Sequence, residues 1–154
     1  MIVAGCGCTG FSIASISTNR THCKAQEKII FNCSFVNKKT ISMCGSPDLA
    51  KESGTLQYRY GFIGKRLELE YPNSNDNVDK KFSITSSGSG KWHDRKINFE
   101  INNFTYSLSS YENMNIPEED FSISIFKNRK IFRYLICIKN SIHDDTWILE
   151  DILK

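Results

Sequence analysis

Hydrophobic and polar positions alternate most cleanly between Thr55 and Tyr71, in the run TLQYRYGFIGKRLELEY. Successive side chains of a strand point to opposite faces of a sheet. Folding Leu56–Tyr60 back on Lys65–Leu69 sets Tyr60 against Lys65, Tyr58 against Leu67 and Leu56 against Leu69. Leu56, Tyr58, Tyr60, Leu67, Leu69 and Tyr71 then share one side, and Gln57, Arg59, Arg66, Glu68 and Glu70 take the other. Gly61 and Gly64 bracket the turn. The pattern predicts an antiparallel hairpin with one face on a core and one in water. Tyr58, Tyr60, Leu67 and Leu69 are expected in that core.

The same period recurs along the chain. Lys28 to Val36 and Thr40 to Cys44 read as a hairpin around Asn37-Lys38-Lys39. A three-residue loop gathers Phe31, Cys33, Phe35, Ile41 and Met43 on one face, with Phe35 opposite Ile41. A two-residue loop would instead set Cys33 opposite Cys44, so that pairing stays open. Phe82 to Thr85 reads as a short strand, followed by a flexible tip, Ser86-Ser87-Gly88-Ser89-Gly90. Lys96 to Tyr111 folds at Asn102-Asn103, because Asn tolerates positive φ. That pairing aligns Ile97, Phe99, Ile101, Phe104, Tyr106 and Leu108. Glu112 to Asp120 reads as a loop.

Phe121 to Ile138 turns at Asn128-Arg129, with Phe121, Ile123, Ile125, Phe132, Tyr134 and Ile136 on one face. Ile131, Leu135 and Cys137 make the other side of the second strand apolar too, which predicts a more central strand. In the tail the period changes. Asp144-Asp145-Thr146 can cap a helix with Ile148, Leu149, Ile152 and Leu153 on one stripe, docked on a sheet edge or open barrel end. The fold class expected is all-β: an antiparallel, hairpin-rich sandwich or barrel-like meander with a short C-terminal helix.

Composition narrows the function classes. The 154 residues suffice for one domain with its own core. A net charge of +3 with no long Lys/Arg run does not predict a nucleic-acid partner. No stretch is apolar for long enough to span a bilayer as a helix. Six cysteines occur without a CxxC pair, and His22, His93 and His143 do not stand at zinc spacings from them. No metal or cofactor is expected. Disulfides are, among Cys23, Cys33, Cys44 and Cys137, and with them an oxidising compartment.

Val3-Ala4-Gly5-Cys6 resembles the lipobox of bacterial lipoproteins, with only Met1 and Ile2 before it. The resemblance implies lipidation at Cys6, a polar tether over residues 1–23 and a single β domain over residues 24–154. Contact with a membrane is then expected only through that anchor. Cys44-Gly-Ser-Pro, Leu56-Gln-Tyr-Arg-Tyr-Gly and Gly64-Lys-Arg-Leu-Glu-Leu-Glu-Tyr-Pro, together about a fifth of the chain, look like a motif of small uncharacterised bacterial periplasmic proteins and lipoproteins. That resemblance implies a periplasmic or outer-membrane-anchored location and transfers no catalytic residue.

Candidate chemistry is sparse. The nucleophile elbow, the HExxH zinc motif and the phosphate-binding glycine loops are all missing, and no catalytic residue is assigned. Trp92-His93-Asp94-Arg95, after the Ser/Gly tip, is the most suggestive cluster, since Trp and Arg are frequent interface hot spots. Arg59 and Glu68 form a second candidate, a charged recognition patch or a diagonal surface pair. Glu68 and Glu70, about 6–7 Å apart along one strand face, raise the alternative of a carboxylate-dependent hydrolase.

The leading expectation is a non-enzymatic envelope binding protein with a protein partner. Its concrete form is an inhibitor or immunity protein against a cell-wall hydrolase, by analogy of size, class and compartment. A structural envelope protein is the third alternative.

Overall fold

The computed structural model describes residues 20–73, 78, 81–115 and 118–154. The lipobox-like Val3–Cys6, Cys8 and the tether as far as residue 19 lie outside the described residues. Among the described residues there are ten strands and one short α-helix: β1 (Lys28–Ser34), β2 (Thr40–Gly45), β3 (Leu56–Gly61), β4 (Leu69–Tyr71), β5 (Ser83–Ser89), β6 (Trp92–Ile101), β7 (Phe104–Asn113), β8 (Glu118–Lys127), β9 (Lys130–Ile136), β10 (His143–Asp144) and α1 (Leu149–Leu153). They form two open antiparallel sheets, ordered β10-β1-β2-β3-β4 and β5-β6-β7-β8-β9. The architecture is therefore sandwich-like rather than a closed barrel.

The two inner faces meet in an aromatic and aliphatic core. Phe99 on β6 stacks on Tyr106 at 5.0 Å and on Tyr71 at 5.5 Å, and meets Tyr58 at 4.9 Å and Phe82 at 5.3 Å. Phe31, Ile41, Met43, Ile97, Leu108 and Ile123 are fully enclosed around it. Alternation explains why these residues and not their neighbours face inward. α1 and the turn before it lie along β1 and the edge strand β5, burying Leu149 and Ile152. The Thr146 N–H donates to Asp144 Oδ1 at 2.9 Å, which steadies the turn before the helix, but the side-chain cap expected for α1 does not form: its N-cap is Ile148.

Among the described residues, two disulfides complete the frame. Cys23 bonds Cys44, tying residues before β1 to β2, and Cys33 bonds Cys137, tying β1 to the residue after β9. The pairing of Cys33 with Cys44 left open by spacing does not form. Packed structure also reaches back past Lys24: the Thr21 hydroxyl and the His22 N–H both donate to the Ser42 side chain.

Several expectations are corrected. The hairpin at Asn102-Asn103 has the expected register, Ile101 opposite Phe104. In the first hairpin, however, Cys33 faces Ile41 across a longer loop, and the inward set is unchanged because the slip is two residues. In the second, Tyr58 faces Tyr71 and Tyr60 faces Leu69, a shift of four that again preserves the faces. Residues 62–68 loop out, so Leu67 is only half-buried and stands outside the core.

The Ser/Gly tip is not a tip: Ser86–Ser89 pair with Trp92–Arg95 as the end of β5, and the turn is at Gly90-Lys91. Gly88 is needed there, because a Cβ would strike the Trp92 carbonyl and the His93 ring. The loop expected from Glu112 to Asp120 is shorter, since β7 continues to Asn113 and β8 starts at Glu118. Finally, β9 is an edge strand, not a central one.

Candidate binding surface

The candidate residues fall in three separate places. Arg59, on the outer face of the first sheet, is 1% exposed. It stands opposite Glu70, not diagonal to Glu68. Its guanidinium grips both oxygens of Glu27 at 2.6 and 2.9 Å, Glu70 at 2.9 Å, the Gln57 side chain at 2.5 Å and the His22 carbonyl at 3.0 Å. All three guanidinium nitrogens are engaged, so the group clamps the segment before β1 onto the sheet. Asn32 and Ser42 extend this polar layer at 2.7 Å.

Glu68 lies in the loop before β4 and takes Lys39 at 2.7 Å. Glu68 and Glu70 are thus each committed to a different cation.

Trp92, His93, Asp94 and Arg95 open β6 in regular pairing with β5 and β7. Trp92 and His93 are exposed, and Asp94 meets Lys96 at 3.1 Å. Arg95 turns inward, with Nε 3.2 Å from Glu150 and Nη1 3.9 Å from Asp144. Neither nitrogen has an aligned acceptor, so this pairing is coulombic rather than hydrogen-bonded. Asp144 also accepts the Ser110 hydroxyl, which joins β6, β7, β10 and α1 at one acidic point.

A run of exposed apolar residues lies elsewhere, on β9. Asn128 and Arg129 both have positive φ, 51° and 62°, as the tight turn between β8 and β9 requires. Lys127 pairs with Lys130 and Phe126 with Ile131, but Ile125 pairs with Arg133. Phe132 is the extra residue of a β-bulge, and beyond it the strand's faces are exchanged. Leu135 therefore packs on the core, whereas Tyr134 and Ile136 turn out, contrary to the alternation expected of them.

Exposures of 67% for Ile131, 59% for Phe132, 47% for Tyr134, 59% for Ile136 and 43% for Ile138 leave an apolar ribbon in water. As the last strand of its sheet among the described residues, β9 also presents a row of backbone N–H and C=O groups that no described strand pairs. Both ends are fixed, by the tight turn and by Cys137, whose N–H donates to Phe121 at 2.8 Å and whose sulfur bonds Cys33.

The ribbon is also basic. Lys127, Arg129, Lys130, Arg133 and Lys139 are five cations in a stretch without an acid, and none of them forms an ion pair among the described residues. Lys127 rests on the Phe104 ring at 5.1 Å, and Phe132 meets that ring edge-on at 5.2 Å. Apolar residues on both faces of one strand, within a run of cations, were the sequence signal for this surface.

Comparison with protein-family models, with curated proteins and with solved structures gives no match. Among the described residues, no helix is long and apolar enough to cross a membrane. The two disulfides favour an oxidising compartment, extracellular or periplasmic.

Proposed function

We propose that this chain is a non-enzymatic binding protein that engages an acidic protein partner along β9. One observation carries the reading: a pinned edge strand with four exposed large apolar side chains, continued by Ile138, among five cations that form no ion pair among the described residues. Large apolar patches rimmed by polar groups mark interaction sites. An edge strand adds directional hydrogen bonds to a partner's extended segment. The turn and the disulfide hold the strand in place beforehand, which lowers the ordering cost of association. The cations select the partner: two copies of β9 side by side would repel, whereas an acidic surface is complementary.

In its specific form, the partner is a cell-wall glycoside hydrolase. The clefts of such enzymes present paired carboxylates, to which the basic Lys127–Lys130 turn is matched. The chain would then serve as an inhibitor or immunity protein in the periplasm, and lipidation at Cys6 would hold it at the outer membrane. The test is affinity capture from bacterial envelope extract, before and after reduction, followed by a hydrolysis assay on the captured protein. A glycoside hydrolase that is inhibited by the oxidised chain supports the proposal. Capture that survives replacement of Ile131 and Ile136 by Asp refutes the placement on β9.

A further inference from the structure

The two sheets part at one mouth, beside the start of β4 and the β9 bulge, and leave a pocket of about 320 Å³. Its walls are apolar and come from both sheets: Tyr58 and Leu69 from one, Tyr106, Ile125 and Leu135 from the other. This volume lies at the small end of the roughly 300–1,000 Å³ typical of ligand pockets. It admits a single short chain rather than a whole lipid.

Two charged residues, Glu68 and Arg133, line the mouth, and they are not paired with each other. Lys39 is taken by Glu68 at 2.7 Å, while Arg133 is exposed and has no ion-pair partner among the described residues. Tyr60 lines the same pocket, and its hydroxyl is buried with no hydrogen-bond partner among the described residues. Buried hydroxyls are nearly always satisfied, so an orphan beside a pocket points to a missing acceptor. An anionic group at the mouth would supply that acceptor and neutralise the Arg133 charge at once.

We propose that this pocket binds a medium-chain fatty acid. The acyl chain lies between Leu69 and the Ile125–Leu135 wall, and the carboxylate accepts hydrogen bonds from the Arg133 guanidinium and the Tyr60 hydroxyl. The site adjoins the ribbon of β9 and shares Phe132 and Arg133 with it, but it opens on the inner side of the strand, away from Tyr134 and Ile136, and needs no partner protein.

The test is isothermal titration of the oxidised protein with dodecanoate, kept below its micellar concentration. The expected result is saturable binding of one dodecanoate per chain. Arg133→Gln and Tyr60→Phe should each weaken it by about tenfold, the scale of a lost hydrogen bond to a charged group. Dodecanol should bind the wild type as weakly as dodecanoate binds Arg133→Gln. Leu69→Trp, which fills the pocket, should abolish binding, and Ile136→Asp, on the outer face, should leave it unchanged. Arg133 is exposed, so that variant carries the test even if Leu69→Trp fails to fold. Absence of saturable binding, or equal affinity in wild type, Arg133→Gln and Tyr60→Phe, would overturn the proposal.

Discussion

Arg59 holds Glu27 by both carboxylate oxygens, at 2.6 and 2.9 Å, and so joins the segment before β1 to the outer face of β3. The guanidinium is enclosed, and its removal would leave Glu27 without its partner. Arg59→Met should therefore lower stability by about 3 kcal/mol, the lower end of the range for breaking a buried pair. Urea denaturation measures this. Hydrogen exchange should show the loss of protection centred on residues 20–27.

The same clamp gives stability a pH dependence of definite sign. Burial lowers the His22 pKa; the Gly61 and Thr40 carbonyls oppose this, and the Arg59 charge adds to it. For Glu27, burial works upward but is outweighed by the Arg59 hydrogen bond and the Lys24 amide, leaving the carboxyl below its ordinary value of 4.5. Both groups bind protons less readily folded than unfolded, so acid favours the unfolded chain. The urea midpoint should fall as pH drops through the ordinary histidine value of 6.5, and again below 4.5. In Arg59→Met the second step should shrink. A midpoint that rises between neutrality and pH ~5 would contradict this linkage.

The two disulfides close loops of very different length, with sequence separations of 21 and 104. Chain entropy then assigns about 3 kcal/mol to Cys23–Cys44 and about 5 kcal/mol to Cys33–Cys137. Paired alanine variants, compared by denaturant titration, should lose stability in that order. Loss of Cys33–Cys137 should also loosen β9, because Cys137 is the anchor at its end.

How much of this was legible depended on whether the decisive contact was local. Asn102-Asn103 and Asn128-Arg129 announce their turns through residues that accept positive φ, and both turns form there. Near Gly61 and Gly64 two glycines and an even slip hid a longer loop, yet the inward set survived because strand parity did. The β9 bulge exchanged the faces of Tyr134, Leu135 and Ile136, and alternation alone cannot locate an inserted residue. The clamp on Arg59 was out of reach, since Glu27 lies 32 positions away and belongs to no periodic element. The four bonded cysteines were identifiable as a set, whereas their partners depended on which strands the two sheets bring together.

Within Trp92–Arg95, stability and surface separate. Arg95 is 9% exposed and faces both Glu150 and Asp144 across the sandwich. Arg95→Ala should lower stability by about 3 kcal/mol, since it leaves the buried Asp144 carboxylate without a cation, whereas Glu150 keeps Lys154 at 3.0 Å. His93→Ala should stay within about 0.5 kcal/mol, as exposed positions do. Thermal unfolding of the two variants checks the split.

The central claim is that β9 is the binding edge, and it is tested most directly by the affinity of a purified captured partner for the wild type and for Ile131→Asp/Ile136→Asp. Both residues are more than half exposed, so the variant should retain its unfolding midpoint. Kd should rise at least 30-fold, about 2 kcal/mol, as for loss of interface hot spots, and wild-type binding should weaken as salt increases. An unchanged Kd in a folded variant, or equal binding to anionic vesicles without any partner protein, would contradict it.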